Sequence, residues 1–428
     1  MLTLIIVGLC IITMILSFIL FPKLKIGKIE LDTYYLITLA GAIILLLCNR
    51  LTVTELGKIL FEDDGMNPIK IIVLFLSMAF LSIYLDKLGF FKYLAVKAAM
   101  RFKSSQKSLF LALFILISTL TVFPSNDIII LTFTPFICYF CKNTKINPIP
   151  YLIGEFFAAN TLSMTLIIGN PTNIYIASNA GITFVEYFEK MFLVGFLTAT
   201  LLCFLLLIVF RKSLSAELTE VHEDSKIKSK FLLIMGLIHL LGCTLIMAIS
   251  NYINIEMYLV SLCFALSLLF ITIVYYLIIK KPNKIVVRSL KELPFPFIPF
   301  LLSMVVLISA LSKTQFIEYL SKQLAQMNSP ITYGVSSLLL GNLLNNIPMS
   351  MLFSEIFQGV SISSNAIYAV IAASNLCALL TPLGSLAGMM FISLVKQQDV
   401  NFTFIKFMKY GFIDIILTIF TFALIVLL

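Results

Sequence analysis

The sequence predicts an all-α polytopic membrane protein made of two inverted repeats. The chain has 428 residues, of which 60% are hydrophobic and 12% are charged, whereas about one quarter of the residues in an ordinary soluble domain are charged. Apolar stretches close to the roughly 20 residues that span a bilayer recur along the whole chain. The longest polar segment, 211–230, lies near the midpoint. These observations exclude a soluble enzyme and favour one membrane domain with two halves.

Each half is expected to contain about five transmembrane helices, one of them broken, and a re-entrant hairpin. The expected crossings are 1–21, 31–49, 67–85, 149–185, 186–210, 231–250, 257–279, 295–312, 364–396 and 403–427. Two further apolar stretches, 108–140 and 331–357, are interrupted by polar residues at 124–127 and 342–348. Their arms are too short to cross the ~30 Å hydrocarbon core, because a helix rises about 1.5 Å per residue. We therefore expect re-entrant hairpins at these two positions.

The basic residues predict the orientation in a plasma or inner membrane. Of the 30 Lys and Arg residues, 24 lie in six loops, and cytoplasmic loops carry such an excess. The six loops are 22–30, 86–107, 141–148, 211–230, 280–292 and 396–409. Both termini should then face outward. The predicted organisation is a first inverted repeat over 1–210, a cytoplasmic linker over 211–230 and a second inverted repeat over 231–428.

Similar polar residues interrupt the apolar stretches of both halves, at 124–127 and 169–173 and again at 342–348 and 381–385. Irregular backbone at membrane depth survives only where it is buried in protein or lines a cavity. Helices that begin at these interruptions would point their N–H groups at that cavity, as in inverted-repeat transporters. The pattern predicts a site for a small polar solute or anion with a coupling H⁺ or Na⁺. The candidate substrate- and ion-binding residues are Ser125, Asn126, Asp127, Asn160, Gly169, Asn170, Thr172, Asn173, Asn345, Asn346, Ser374, Asn375, Thr381, Gly384 and Ser385.

Local helix capping is the alternative interpretation of single residues at these interruptions. The pairs at 170–171 and 381–382 have good N-cap and N1 residues, and any residue of 125–127 could cap the helix that follows. The helices that follow the interruptions are expected to begin near Asp127, Pro171, Pro348 and Pro382. Capping does not explain why a helix breaks inside the bilayer, so a transport site is the preferred interpretation.

Acidic residues in apolar segments are the candidates for ion coupling, because an ionisable group there costs roughly 2.5–3.5 kcal/mol. Asp127, at the start of a helical arm, is the preferred coupling residue. Glu155 and Glu355 are expected nearer an interface. Asp414 is expected to pair with Lys409 or to face the bundle.

Other chemistry has little support in the sequence. The eight Cys and two His residues form no convincing ligand set, and the C-x-x-C at 138–141 has too few partners, so we expect no metal site and no cofactor. No P-loop, nucleophile elbow or zincin motif occurs, so no catalytic residue is predicted. The stretch 88–107 is expected to be an interfacial amphipathic helix. No basic patch suited to nucleic acid is present.

Four segments resemble the ion transporter superfamily and, within it, the ArsB-type arsenite and antimonite permeases. They are FKYLAVKAAMRF (91–102), SNDIIILTFTPF (125–136), LLNNIPMSMLF (343–353) and LTPLGSLAGMMF (380–391). The resemblance implies a substrate site between two hairpin tips and transport without ATP hydrolysis by the permease itself. It also implies a soluble pump ATPase as a partner, and a homodimer is a further expectation.

The divalent anion:sodium symporters of the same superfamily carry Ser-Asn-Thr at both hairpin tips. This chain has Ser125-Asn126-Asp127 and Asn345-Asn346-Ile347 instead, and the extra carboxylate disfavours a dicarboxylate. The chain also lacks the acidic G-x-D-x-G-P segment of typical arsenite permeases and has 374–378 in its place. The leading hypothesis is therefore a secondary transporter that exports a small inorganic solute by proton antiport, with arsenite or antimonite as the leading substrate. The alternative is a sodium-coupled importer of an organic or inorganic anion.

Overall fold

A computed structural model of the chain describes residues 1–21, 23–26, 29–61, 67–101, 105–123, 126–215, 227–250, 252–327, 329–358, 360–398 and 400–428. α-Helices form nearly all of the regular structure in these ranges, and one antiparallel pair of short strands accompanies them. This architecture confirms the predicted all-α class.

The first half begins with two apolar helices joined by the strand pair and ends with a long apolar helix. Its elements are α1 (Leu2–Leu20), β1 (Lys23–Ile26), β2 (Ile29–Asp32), α2 (Thr33–Leu47), α3 (Val53–Phe61), α4 (Pro68–Lys87), α5 (Phe90–Arg101), α6 (Gln106–Leu120), α7 (Asn126–Thr144), α8 (Ile149–Leu162), α9 (Pro171–Asn179) and α10 (Phe184–Val209). Two short 3₁₀ turns, Ser163–Thr165 and Ile167–Gly169, separate α8 from α9. The broken helix predicted over 149–185 is thus present.

The second half follows the same plan. Its helices are α11 (Lys230–Ile249), α12 (Met257–Ile278), α13 (Lys284–Lys291), α14 (Phe297–Ser312), α15 (Gln315–Met327), α16 (Pro330–Leu344), α17 (Asn346–Phe357), α18 (Ser364–Leu380), α19 (Leu386–Gln397), α20 (Phe404–Gly411) and α21 (Ile413–Leu427). A single 3₁₀ turn, Pro382–Gly384, separates α18 from α19. The second predicted broken helix is therefore present as well.

Five of the described helical segments are long and apolar enough to cross a membrane on their own: α4, α10, α11, α12 and the combined Phe404–Leu427. The bent pair of α14 and α15 would add a sixth. Other apolar helices, such as α2 and α6, have only 15 residues each. The protein is thus a multi-pass membrane protein, and the full number of about ten crossings stays a prediction.

The contacts between the two halves come in matching pairs. α2 packs against α14, and α12 packs against α4; α7 packs against α19, and α17 packs against α9. In each half both hairpin arms, α6 with α7 and α16 with α17, contact the first part of the broken helix, α8 or α18. The two halves are therefore interlocked. The inverted orientation of the second half and the division at 211–230 stay predictions.

Two buried polar bonds join the outer helices of the interlocked halves. The Tyr84 hydroxyl of α4 lies 2.9 Å from the Thr272 hydroxyl of α12, and the Ser303 hydroxyl of α14 donates to Thr38 of α2 at 2.7 Å. All four side chains are almost fully buried. Hydrogen bonds between membrane helices typically contribute about 0.6 kcal/mol each, so these bonds fix the register of the helices more than they add stability.

Two expected segments have different bounds in the structure. The interfacial helix expected over 88–107 is α5, which ends at Arg101, and residues 102–104 lie outside the described ranges. α7 has 19 residues and is longer than the arm expected over 127–140. Pro135 lies inside it, where it removes one backbone hydrogen bond.

The interlocked packing predicts a specific cross-link. Thr38→Cys with Ser303→Cys, in a background without the native cysteines, should be joined rapidly by a short thiol cross-linker, because the two hydroxyl oxygens are 2.7 Å apart. After proteolysis within the 211–230 loop, the cross-linked protein should keep the electrophoretic mobility of the uncleaved chain, whereas an unlinked protein should separate into two fragments. Thr38→Cys with Thr272→Cys is the control and should stay unlinked. Equal cross-linking of both pairs would contradict the described packing.

Candidate functional site

The two helix breaks have the same local design. Each ends in a 3₁₀ turn whose last residue is a glycine, Gly169 or Gly384, and the next residue is the N-cap of the following helix. A Cβ atom on Gly169 would lie 2.2 Å from the Ser163 carbonyl oxygen, and one on Gly384 would lie 2.3 Å from the Cys377 carbonyl oxygen. Only glycine lets the chain turn back this closely on the preceding helix.

The capping interpretation holds for Asn170 and fails for Thr381. The Asn170 side chain accepts from the Thr172 N–H at the start of α9. Thr381 makes no cap bond, and its hydroxyl donates to the Asn342 side chain of α16 at 2.8 Å. Ser385 caps α19 instead, by accepting from the Gly388 N–H. The helix that follows the second break, α19, therefore begins at Leu386 and not near Pro382 as expected.

Asn375 of α18 is the centre of a buried hydrogen-bond network that joins the two halves. Its Oδ1 accepts from the Ser163 hydroxyl at 2.9 Å and from the Asn170 amide at 3.0 Å, and its Nδ2 donates to Asn173 Oδ1 at 2.7 Å. The Asn173 amide in turn donates to the carbonyl oxygens of Ser163 and Leu166. One asparagine from the second half thus joins three polar side chains of the first break.

The hairpin tips contact this network from either side. At the start of α7, Asn126 donates to Asn160 Oδ1 at 2.8 Å, and at the start of α17, Asn346 donates to the Ser374 carbonyl at 3.3 Å. The Ser374 hydroxyl lies 2.9 Å from the Thr172 hydroxyl. The structure therefore brings together eight of the predicted residues: Asn126, Asn160, Asn170, Thr172, Asn173, Asn346, Ser374 and Asn375.

Asn126 and Asn346 share a second property. Each is the first residue of its helix and nearly fully buried, with 2% and 4% of its surface exposed. In both, the amide nitrogen is used, whereas the side-chain oxygen has no hydrogen-bond partner among the described residues. Unpaired buried acceptors are costly in a native structure, and amide oxygens are hard ligands that suit a bound cation or a hydroxyl donor.

Asn345 at the second hairpin tip is conformationally strained. Its φ of 83° and ψ of 153° lie in a region that is essentially restricted to glycine, and such a residue stores roughly 1–3 kcal/mol of strain. Its side chain accepts from the Ile347 N–H and donates to the Leu383 carbonyl at 3.1 Å. These two bonds hold the tip of the second hairpin against the second break.

Asp127 of the first hairpin tip makes no hydrogen bond to the network. Asp127 lies in the first turn of α7 and is partly exposed, and the structure shows no hydrogen bond or ion pair of its carboxylate with a described residue. Ser125, also a predicted site residue, lies outside the described residues. The role of Asp127 as the coupling residue stays a prediction.

Of the other acids in the apolar segments, Glu155 lies differently from the expectation, whereas Asp414 takes one of the two positions expected for it. Glu155 was expected nearer an interface, but it is 1% exposed in the interior of α8 and accepts a hydrogen bond from Thr134 of α7 at 2.8 Å. Asp414 is fully buried and faces the bundle, where its nearest hydroxyl donor is Thr418. No ion pair with Lys409 forms in the described part of the chain. A sequence cannot tell which face of an apolar helix is buried inside the protein and which contacts lipid.

A small cleft opens beside the network between α4, α9, α14 and α17. Most of its wall is apolar, and no charged side chain is among its described lining residues. The lining residues are Ile71, Pro171, Thr172, Tyr175, Phe297, Leu301, Ile347 and Ser350. Of the described residues that were predicted for the site, only Thr172 lines this cleft. Tyr175 and Ser350 were not predicted. Both lie within two turns of a helix start, and this position is a signal that sequence reasoning could have used.

The chain matches the citrate transporter family (CitMHS) over residues 30–367. It is 25% identical to the "Putative arsenical pump membrane protein" of Bacillus subtilis (strain 168), over 89% of this chain and 90% of that protein. It is 24% identical to the arsenical pump membrane protein of Escherichia coli, over 79% of this chain and 81% of that protein. These relatives agree with the resemblance to ArsB-type permeases.

The fold also has a solved counterpart. The crystal structure of the Alcanivorax borkumensis YdaH transporter, described as having an unusual topology, aligns with a TM-score of 0.59. The alignment covers 99% of this chain and 96% of that one at 11% sequence identity. At this identity the likeness concerns the fold alone.

The close approach at the first break predicts a strong effect of one methyl group. Gly169→Ala should lower the melting temperature and the yield of folded protein, because its Cβ would meet a backbone oxygen at 2.2 Å and such overpacking typically costs about 1–3 kcal/mol. Gly57→Ala in α3 is the matched control, since nothing lies within 4 Å of its Cβ. Thermal unfolding in detergent measures both. An unchanged melting temperature for the Gly169 variant would contradict the described break.

Proposed function

The chain belongs to the citrate transporter family, CitMHS. We propose that it is a secondary active transporter that exports arsenite or antimonite by proton antiport. Its location would be the cell membrane, with both termini outside, and a soluble pump ATPase would be a partner as in ArsB-like systems. The site would be the amide and hydroxyl network between the two helix breaks, together with the adjoining cleft.

The observation that carries the substrate proposal is the absence of cationic side chains from this region. The network consists of amides and hydroxyls, including that of Thr172, and the described lining of the cleft adds two hydroxyl groups, from Tyr175 and Ser350, to an apolar wall. A multiply charged anion in such surroundings would rely on helix N-termini alone. An uncharged hydroxide, the form that trivalent arsenic takes near neutral pH, needs only hydrogen-bond donors and acceptors.

The names of the relatives point the same way. Two of them are described as arsenical pump membrane proteins and align over most of their own length. Their identities of 25% and 24% support a related transport process and leave the substrate to be measured. The description of the family as citrate transporters supports a different solute.

The proton coupling rests on Asp127. Its carboxylate is partly exposed at the first turn of α7, one residue from Asn126 of the network. A carboxylate in this position can alternate between a charged form, stabilised by the helix N-terminus, and a protonated form. Binding of the solute and of the proton would then compete at one end of the network, which is what an antiporter requires.

A sodium-coupled importer of an organic or inorganic anion is the second candidate. The two unpaired side-chain oxygens of Asn126 and Asn346 favour it, because oxygen ligands at both hairpin tips suit a hard cation. The N-termini of α9 and α17 would bind the anion. In this case Asp127 would contribute to a cation site and not to proton exchange.

A paired flux measurement distinguishes the two candidates. Everted vesicles loaded with the protein should accumulate arsenite or antimonite when a proton gradient is imposed, and should lose this accumulation when the gradient is collapsed. Proteoliposomes with an imposed sodium gradient should take up neither citrate nor other anions of a test panel. Sodium-driven anion uptake without metalloid flux would refute the export proposal and establish the alternative.

The role of Asp127 is tested by Asp127→Asn, which removes the titrating group and keeps a side chain able to cap a helix. The variant should reach the membrane at normal levels and lose the proton-driven accumulation. For one coupled proton this accumulation is about tenfold for each unit of pH difference across the membrane. Asp86→Asn is the control, because Asp86 pairs with Lys87 away from the network. If the Asp127 variant accumulates substrate with unchanged pH dependence, the coupling site lies elsewhere.

A further inference from the structure

Corresponding positions of the two halves can be paired through the network itself. α7 and α17 begin at Asn126 and Asn346, and α8 and α18 carry Asn160 and Asn375. Each of the latter two donates to the backbone carbonyl four residues earlier in its own helix. These matches fix the register between α7–α8 and α17–α18, so the remaining residues along the two seams can be compared position by position.

Glu155 has no acidic counterpart in this comparison. It lies five residues before Asn160, and the residue five before Asn375 is Val370, which is fully buried. Its partner Thr134 corresponds to Ser354 on α17. The buried Ser354 hydroxyl has no hydrogen-bond partner among the described residues. The fold therefore accepts an apolar side chain at this position, and packing does not require a carboxyl group in the first half.

The surroundings of Glu155 supply no positive charge. Its second oxygen, Oε2, has no hydrogen-bond partner, and no ion pair to it forms in the described ranges. α18 and the 3₁₀ turns carry no acidic or basic side chain, and α7 adds the buried Cys138 thiol as a titratable group. The charged residues of the helices packed against α8 lie towards helix ends and are Lys107 of α6, Asp127 and Lys142 of α7, Glu186, Glu189 and Lys190 of α10, Lys396 of α19, and Lys406 and Lys409 of α20. Burial of an isolated carboxylate costs far more than burial of the neutral acid.

We infer that Glu155 is a second proton-binding site of the transport cycle, positioned in the seam between hairpin arm α7 and helix α8. In the state described here the carboxyl group holds the proton, so that a neutral acid and not a carboxylate is buried. When α7 moves relative to α8, water reaches Oε2, the proton leaves to solvent and the carboxylate remains. The inference rests on the proposed transport function and adds a site to it.

The contact between α7 and α8 connects Glu155 to the proposed substrate site. Two polar bonds join α7 to α8, Thr134 to Glu155 and Asn126 to Asn160. They lie eight residues apart along α7, about 12 Å for an α-helix. Movement of the arm that breaks the bond at Asn126 would strain or break the bond at Thr134 as well. Proton release at Glu155 and rearrangement of the network would therefore occur together.

The test compares Glu155→Gln with Ser354→Ala, the matched control on the other seam. Glutamine keeps the size and can still accept from Thr134, but it cannot titrate. Infrared difference spectra of the purified protein, recorded on addition of antimonite and as a function of pH, report the C=O stretch of a protonated carboxyl group. A band that changes in the wild type and in Ser354→Ala and is absent in Glu155→Gln is the expected result.

Measurement of antimonite flux by the same variants separates proton coupling from transport itself. Glu155→Gln should lose the pH dependence of antimonite exchange measured without a gradient, whereas Ser354→Ala should keep both that pH dependence and an exchange rate within about twofold of the wild type. The inference is overturned if no carboxyl band is specific to Glu155, or if Glu155→Gln keeps the wild-type pH dependence. Where wild-type protein carries no metalloid at all, the proposed substrate fails. The pH-dependent infrared band of Glu155, recorded without ligand, then decides the proton site separately.

Discussion

The structure depends on one constraint, that every polar backbone group freed by a break inside the membrane must find a partner within the protein. Both broken helices meet it with side-chain amides. Asn173 donates to the carbonyls of Ser163 and Leu166 at the first break, and Asn345 donates to the carbonyl of Leu383 at the second. An unsatisfied group in hydrocarbon would cost several kcal/mol. Asn375 of the second half donates to the Asn173 side chain, so the hydrogen-bond network of the first break is complete only when the two halves are packed together.

The same constraint locates the candidate site and gives it its chemical character. The side-chain oxygens of Asn126 and Asn346 have no partner among the described residues, and hydroxyl-bearing residues line the cleft beside α9 and α17. The region is polar without being charged, which suits a small neutral hydroxide or a cation better than a polyvalent anion. Movement of a hairpin arm relative to α8 or α18 would exchange partners within the network, and a set of neutral hydrogen bonds can be exchanged at small cost.

Much of this could be predicted from the sequence, because hydropathy and basic loops report directly on membrane insertion. The broken helices and eight members of the network were predicted from polar residues inside apolar runs. The register of the second break was not, since Thr381-Pro382 looks like a helix start, whereas the turn continues to the Gly384-Ser385 pair, where the chain passes close to the Cys377 carbonyl. The burial of Glu155 also could not be predicted, because apolar residues surround every face of α8 in the sequence. Such positions depend on which helix faces meet, and that is fixed only by the tertiary packing.

The most direct test of the account is whether a neutral metalloid hydroxide binds at the network. Thermal unfolding of purified protein, with the exposed Cys48 and Cys263 replaced to prevent thiol binding, would be followed with antimonite and separately with citrate. A ligand at 100 times its Kd stabilises the native state by about 2.7 kcal/mol. The account predicts that antimonite raises the melting temperature, that citrate does not, and that Thr172→Val with Ser350→Ala abolishes the rise. Stabilisation by citrate alone, or an antimonite effect that persists in the double variant, would contradict it.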